Sequence, residues 1–267
     1  IIKHLHAGKA PEQVQKQMHE QVKRTDASEI MAMEQELMAD GMPVEEVRSM
    51  CDLHSQVTRD VLVQIPIRKD IAPGHPIDTF RRENEAMRDV IAQMKTGLAE
   101  LQNLPQTTDA APVVLRLRQS FNDLMDIDKH YQRKEHALFS CLERHGIAGP
   151  SKVMWAKDDD ARNLLKQLRQ NLHMGSTPTE DWKLALLNSA NAALNALEEM
   201  IYKEENILLP MSLETLSEDE WAEIWSASPK YGWCIVEPRQ GYVPAVSVRA
   251  ESIMSRTPAL LCCPPAT

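Results

Sequence analysis

From Pro43 onward, Val44, Val47, Cys51, His54, Val57 and Val61 recur at three- and four-residue spacing, the mark of one apolar helical face. Two helices precede it. Residues 11–24 open at Pro11, and a second helix starts at Asp26, whose carboxylate caps while Glu29 completes a capping box; Gly41 ends it. The run I-P-I-R-K-D-I-A-P-G-H-P at 65–76 cannot continue a helix, because proline removes a donor and glycine loosens the backbone, so a boundary is expected near residue 70. Four long amphipathic segments follow. They are 77–102 (Ile77, Phe80, Met87, Ile91, Met94, Leu98, Leu101), 112–145 (Val114, Leu117, Phe121, Leu124, Tyr131, Leu138, Leu142), 158–173 (Leu164, Leu165, Leu168, Leu172) and 178–209 (Leu186, Ala190, Leu194, Leu197, Ile201, Leu208). The links at Leu104–Ala111, Gly146–Trp155 and Gly175–Pro178 each contain Pro or Gly.

This pattern predicts an all-α protein: a small N-terminal helical domain over 1–68 and an antiparallel up-down four-helix bundle over 72–212. Residues 213–267 are expected to form a connector and tail. In it a short helix around Glu218–Trp225 precedes Y-G-W-C-I-V-E-P at 231–238, which reads as a strand, and the last ~25 residues carry no clear period.

Composition narrows the function classes. Lys+Arg 30 against Asp+Glu 39 gives a formal charge of −9, so no bulk basic field exists to attract phosphate backbones, and no nucleic-acid partner is expected. Aromatics are only 4 % beside 14 Met, which favours helices over a sandwich or barrel. No stretch approaches the ~20 apolar residues of a membrane span, and the first ten residues lack a signal-peptide core, so no membrane partner and a cytoplasmic setting are expected. Five scattered cysteines without a CxxC pair suggest neither a disulfide framework nor a zinc ribbon.

The candidate chemistry lies in two segments that echo each other, R-K-E-H-A-L-F-S at 133–140 and K-E-E-N-I-L-L-P at 203–210. Alignment sets Lys134 opposite Glu204, Glu135 opposite Glu205 and His130 opposite Met200. Glu135 and Glu204 interrupt two core stripes, and a buried carboxylate without a partner costs several kcal/mol, so cations, metals or a shared proton are needed. Two readings stay open: a carboxylate and imidazole metal site, or acids paired with Lys134, Lys203 or Arg133. His130 and Glu135 are five apart, about 140° around a regular helix, and converge on one ion only if a π-bulge widens the turn; on a regular helix Lys134 lies nearer His130.

P-G-H-P-I-D-T-F-R-R-E-N at 73–84, D-K-H-Y-Q-R-K-E at 128–135, K-V-M-W-A-K-D-D-D at 152–160 and Y-K-E-E-N-I-L-L-P at 202–210 resemble the hemerythrin-like (HHE cation-binding) domain. More narrowly, they resemble the type that follows an uncharacterised helical domain, here matched by residues 36–54, and that often precedes a PAS sensor domain, with W-C-I-V-E-P at 233–238 as the connector. The resemblance implies a bundle holding non-haem iron, one or two ions, or manganese or zinc, that meets dioxygen or nitric oxide and signals to a partner protein. By the same resemblance the metal ligands are His75, His130, Glu135 and Glu204 or Glu205. The wider pattern has histidines where Met200 and Asp158–Asp160 stand, so the full histidine set of an oxygen carrier is absent.

His54, three residues from Cys51 on one face, is a further candidate ligand, against a core-packing reading. Glu83, two turns after His75, is open to a ligand role or an ion-paired face, whereas His136 is expected outward and His4, His6, His19, His145 and His173 at the surface. The function expected is metal binding with sensing of dioxygen, nitric oxide or redox state. A metal-free helical interaction module and a metal-dependent enzyme acting on peroxide or handling iron are the competing readings. No paired nucleophile and base, phosphate-binding glycine loop or dinucleotide fingerprint supports a named reaction.

Overall fold

The computed structural model describes Gly41 and residues 71–105, 108–173 and 179–244. The expected N-terminal helices, with Cys51, His54, His4, His6 and His19, lie outside the described residues, as do the link at 174–178, the tail from 245 and the side chain of His173.

Helix α1 (Pro76–Asn103) begins where the sequence places a proline in the first turn, and the His75 side chain caps it by accepting from the Ile77 N–H. The expected second helix is in fact several pieces in line. Helix α2 (Ala111–Leu124) ends in a tight turn at Met125–Asp126, where the Asp126 N–H bonds the Asp123 carbonyl at 3.2 Å and the Lys129 N–H bonds the Asp126 carbonyl at 3.0 Å. Helix α3 (Ile127–Arg133), a π turn (Lys134–Leu138) and α4 (Phe139–Arg144) follow.

The third helix is longer than expected. Helix α5 (Gly149–His173) absorbs most of the Gly146–Trp155 link, because Pro150 sits in its first turn, where the missing N–H breaks no hydrogen bond. Helix α6 (Glu180–Lys203) is capped by the Thr179 hydroxyl and runs through a second π turn (Glu204–Leu208) into α7 (Leu209–Thr215). A capping box between Ser217 and Glu220 starts α8 (Glu218–Ala227), and a 3-10 turn (Ser228–Lys230) ends it.

Helix α1 packs on α2, α2 on α5, α5 on α6 and α6 back on α1, so the four long elements close a ring around one core. Ile77, Phe80, Met94, Leu117, Leu138, Leu168 and Leu197 lie in that core, as the apolar periodicity requires.

The stretch 231–238 corrects the strand expectation: it is irregular and crosses α1. Gly232 has φ +80° and Ile235 φ +63°, and the Val236 N–H reaches the Cys234 carbonyl at 2.6 Å, which makes a γ-turn centred on Ile235. An extended strand is incompatible with two left-handed residues in four. The chain then returns to the start of α1, where Gly74 has φ +82° and a β-carbon on it would lie 2.1 Å from the Arg239 carbonyl oxygen.

Candidate functional site

Acidic and basic residues stand where the stripes would otherwise be apolar. Glu83 is three residues after Phe80 and four before Met87 on α1, and Lys134 is three after Tyr131 and four before Leu138. Both are fully buried, with Asp158 of α5 and His130 of α3, while Arg133, Glu135 and Glu204 are nearly so. Together they form one ion cluster across the four long elements.

The geometry is specific. His130 Nδ1 lies 2.8 Å from Glu83 Oε2 and Nε2 lies 3.0 Å from Glu204 Oε2. Lys134 Nζ donates to Asp158 Oδ1 at 2.8 Å and to Glu204 Oε1 at 2.5 Å, with the Tyr131 ring 4.2 Å from the ammonium. Arg133 donates to Glu83 Oε2 and, at 2.8 Å, to the Gly232 carbonyl, its guanidinium lying between the Phe80 and Trp233 rings at 4.7 and 4.9 Å. The second oxygen of Glu83 accepts the Cys234 N–H at 2.8 Å. Arg162 grips Glu135 with two bonds of 2.8 and 3.0 Å and also reaches Asp128 and Asp159.

The two π turns start at Lys134 and Glu204, the positions that the sequence echo sets opposite each other. Each turns its first residue inward and sends its second to an arginine on a neighbouring helix: Glu135 to Arg162, and Glu205 to Arg88, whose Nη1 donates at 3.0 Å. The inward pair, Lys134 and Glu204, meets in the bundle centre. The bulge foreseen for bringing Glu135 to His130 is present, but the carboxylates at His130 are those of Glu83 and Glu204.

Burial penalises every charge here, and the outcome depends on what opposes it. For His130 burial lowers proton affinity, but the Glu204 and Glu83 carboxylates outweigh it and raise the pKa. A carboxylate only accepts, so an imidazole held between two of them donates from both nitrogens and is an imidazolium. Burial would raise Glu204, yet Lys134 and His130 hold it well below the usual carboxylate range. Lys134 stays an ammonium, pushed up by Asp158 and Glu204 against burial, whereas burial prevails at Asp158 and raises it. Four carboxylates (Glu83, Glu135, Asp158, Glu204) therefore face three permanent cations (Arg133, Lys134, Arg162), and one proton on the cluster closes the balance.

The other expected ligands lie elsewhere. His75 is at the mouth of α1, its ring packed on Trp221 at 4.9 Å and Tyr242 at 4.7 Å. Burial, only partly opposed by Asp78, lowers its pKa to about 4, in keeping with Nδ1 accepting the Ile77 N–H from the neutral ring. Glu205 is half-buried against Arg88. His136 is exposed, as expected, beside Trp155 and Tyr231, and exposed His145 bonds Glu220. Glu83, open to two roles on spacing alone, is the best-connected acid of the cluster. Its signal, and that of Lys134, is a charge on an apolar stripe.

A metal ion needs donors with free lone pairs converging on one point. Among the described residues no three His, Cys, Asp or Glu side chains are grouped to hold one. Both nitrogens of His130 are engaged, and the ammonium of Lys134 lies between Glu204 and Asp158. Of the four carboxylates only Asp158 has an oxygen, Oδ2, without a hydrogen-bond partner among the described residues. As folded, the residues do not fit a metal ion.

No helix among the described residues is long and apolar enough to cross a membrane. A search of curated proteins finds no match. Residues 1–64 match a family of unknown function, DUF438. Residues 75–212 match the hemerythrin HHE cation binding domain, which supports metal binding as the activity of the domain class. With that match spanning the whole bundle and more than half the sequence, the chain belongs to the hemerythrin HHE cation-binding family.

Proposed function

We propose that the bundle works as a signalling module that couples its buried ion cluster to the connector at 231–242, and through it to a partner protein. The observation that carries this reading is the Glu83 carboxylate, one oxygen of which faces His130 and Arg133 inside the bundle while the other holds the Cys234 N–H of the connector. Arg133 bridges the same two regions through the Gly232 carbonyl. The connector turn at Ile235 is a left-handed conformation that costs a β-branched residue about 1–2 kcal/mol, so it persists only while these bonds hold it. A change of charge in the cluster therefore has a mechanical outlet. Its test is amide exchange on the full chain carrying Arg133→Met, which keeps packing against Phe80 and Trp233 but deletes the bonds to Glu83 and Gly232. Protection is expected to fall at 232–236 and to persist in α5 and α6; unchanged protection at Cys234 would refute the coupling.

Family membership favours a second reading, a metal-loaded domain sensing dioxygen, nitric oxide or redox state. In that reading Glu83, His130, Asp158 and Glu204 supply the oxygen and nitrogen donors, and His75, Glu135 and Glu205 keep the partners described above. Elemental analysis of untagged protein, followed by optical spectra with each gas, separates the two readings.

A further inference from the structure

The family is defined by a bound cation, yet the centre of this bundle already contains one that is covalently part of the chain. We infer that the Lys134 ammonium takes the place of a metal ion, and that removing it uncovers a divalent-cation site formed by His130, Glu204 and Asp158.

Lys134 Nζ lies within hydrogen-bond distance of two carboxylates from two different helices, at 2.8 and 2.5 Å, with no exposed surface. Asp158 Oδ2, equally buried, has no hydrogen-bond partner among the described residues, so the shell around the ammonium holds one acceptor more than it uses. Carboxylate oxygens with one imidazole nitrogen are a donor set for manganese, iron or zinc. An ammonium binds one oxygen of each of the two carboxylates with a single positive charge, needs no deprotonated imidazole, and leaves His130 free to bind Glu83 and Glu204 from both sides. Metal and ammonium cannot share the space: a divalent ion added to the cluster would meet Lys134, Arg133 and an imidazolium at close range and would have to displace a proton from His130 to bind it. The inference does not rest on the coupling to the connector, since the hydrogen bonds of Lys134 go to Asp158 and Glu204, whereas Glu83 and Arg133 carry that coupling.

The experiment equilibrates untagged full-length protein, parent and Lys134→Ala, with Mn(II) or Zn(II), removes free metal and counts what remains. The parent should retain less than about a tenth of an equivalent and Lys134→Ala about one, while Lys134→Ala combined with Glu204→Gln should lose it again. Bound metal should raise the melting temperature of Lys134→Ala and leave the parent unchanged. Where Lys134→Ala does not fold alone, it should fold when Mn(II) or ethylammonium is supplied to replace the lost cation. A stoichiometric metal in the parent overturns the inference, as does Lys134→Ala that takes no metal, or that neither cation restores.

Discussion

Glu135 is the acid whose role the sequence and the structure assign most differently, and replacing Arg162 with methionine isolates it. Methionine keeps much of the contact with the Tyr131 ring but deletes both hydrogen bonds to Glu135, leaving a carboxylate that is 3 % exposed without its cation. Breaking a buried pair from one side costs about 3–5 kcal/mol, and because Arg162 itself is 20 % exposed the lower end applies, about 3 kcal/mol. Arg162 also contacts Asp128 and Asp159, but these are 45 % and 58 % exposed, and such pairs add little. With a urea slope of about 2 kcal/mol per M, the unfolding midpoint of the bundle should drop by about 1.5 M at neutral pH. A drop below about 0.3 M would refute the pairing and return Glu135 to the ligand reading.

His75 should add an acid-sensitive contribution: with a folded pKa of about 4 against 6.5, its stabilisation is complete above pH 6.5 and is lost as pH falls toward 4. His75→Asn keeps a capping acceptor that does not titrate, so its urea midpoint should fall less steeply over that window; parallel curves would rule the effect out. Gly74→Ala should be far more damaging than Gly146→Ala, because both have φ near +80° but only Gly74 faces a carbonyl oxygen at 2.1 Å, whereas nothing lies within 4 Å of Gly146. The Gly146 change should cost about 1–2 kcal/mol and the Gly74 change clearly more, read as the difference in melting temperature. Ser217→Ala removes one half of a capping box and should cost about 1 kcal/mol, visible as faster amide exchange in the first turn of α8.

The helices were legible because their apolar residues recur with the helical period, and every residue of the stripe read for α1 is buried. What periodicity cannot see is a proline used to start a helix, and so α5 begins at Gly149 rather than near Asp158. It also cannot see a left-handed turn at Ile235, a β-branched residue that looks like strand; beside it the Cys234 N–H donates to the Glu83 carboxylate, 151 positions away. His130 and Glu204, which the resemblance names together, lie side by side in the bundle centre. Glu135 and Glu205, the second residues of the two π turns, face Arg162 and Arg88, and nothing in the spacing says whether the first or the second residue of such a turn faces inward. Lys134, one position before Glu135 on an apolar stripe, was the stronger signal.

Where the chain enters and leaves the bundle has a consequence for how the module can be moved. Gly74 touches the Arg239 carbonyl, the Arg239 guanidinium holds Asp78, Gly241 abuts Pro73, and the Tyr242 ring rests on His75. Both ends therefore emerge at one corner, no farther apart than adjoining side chains. A unit of this kind can be spliced into a surface loop of an unrelated host without prising the host's backbone open. For the same reason a few glycines joining 244 to 71, with new termini cut at the exposed His145–Gly146 turn, give a circular permutant that retains every contact of the cluster. Sequence order is then separable from the ion cluster, and the effect of tethering on either side can be measured one tether at a time.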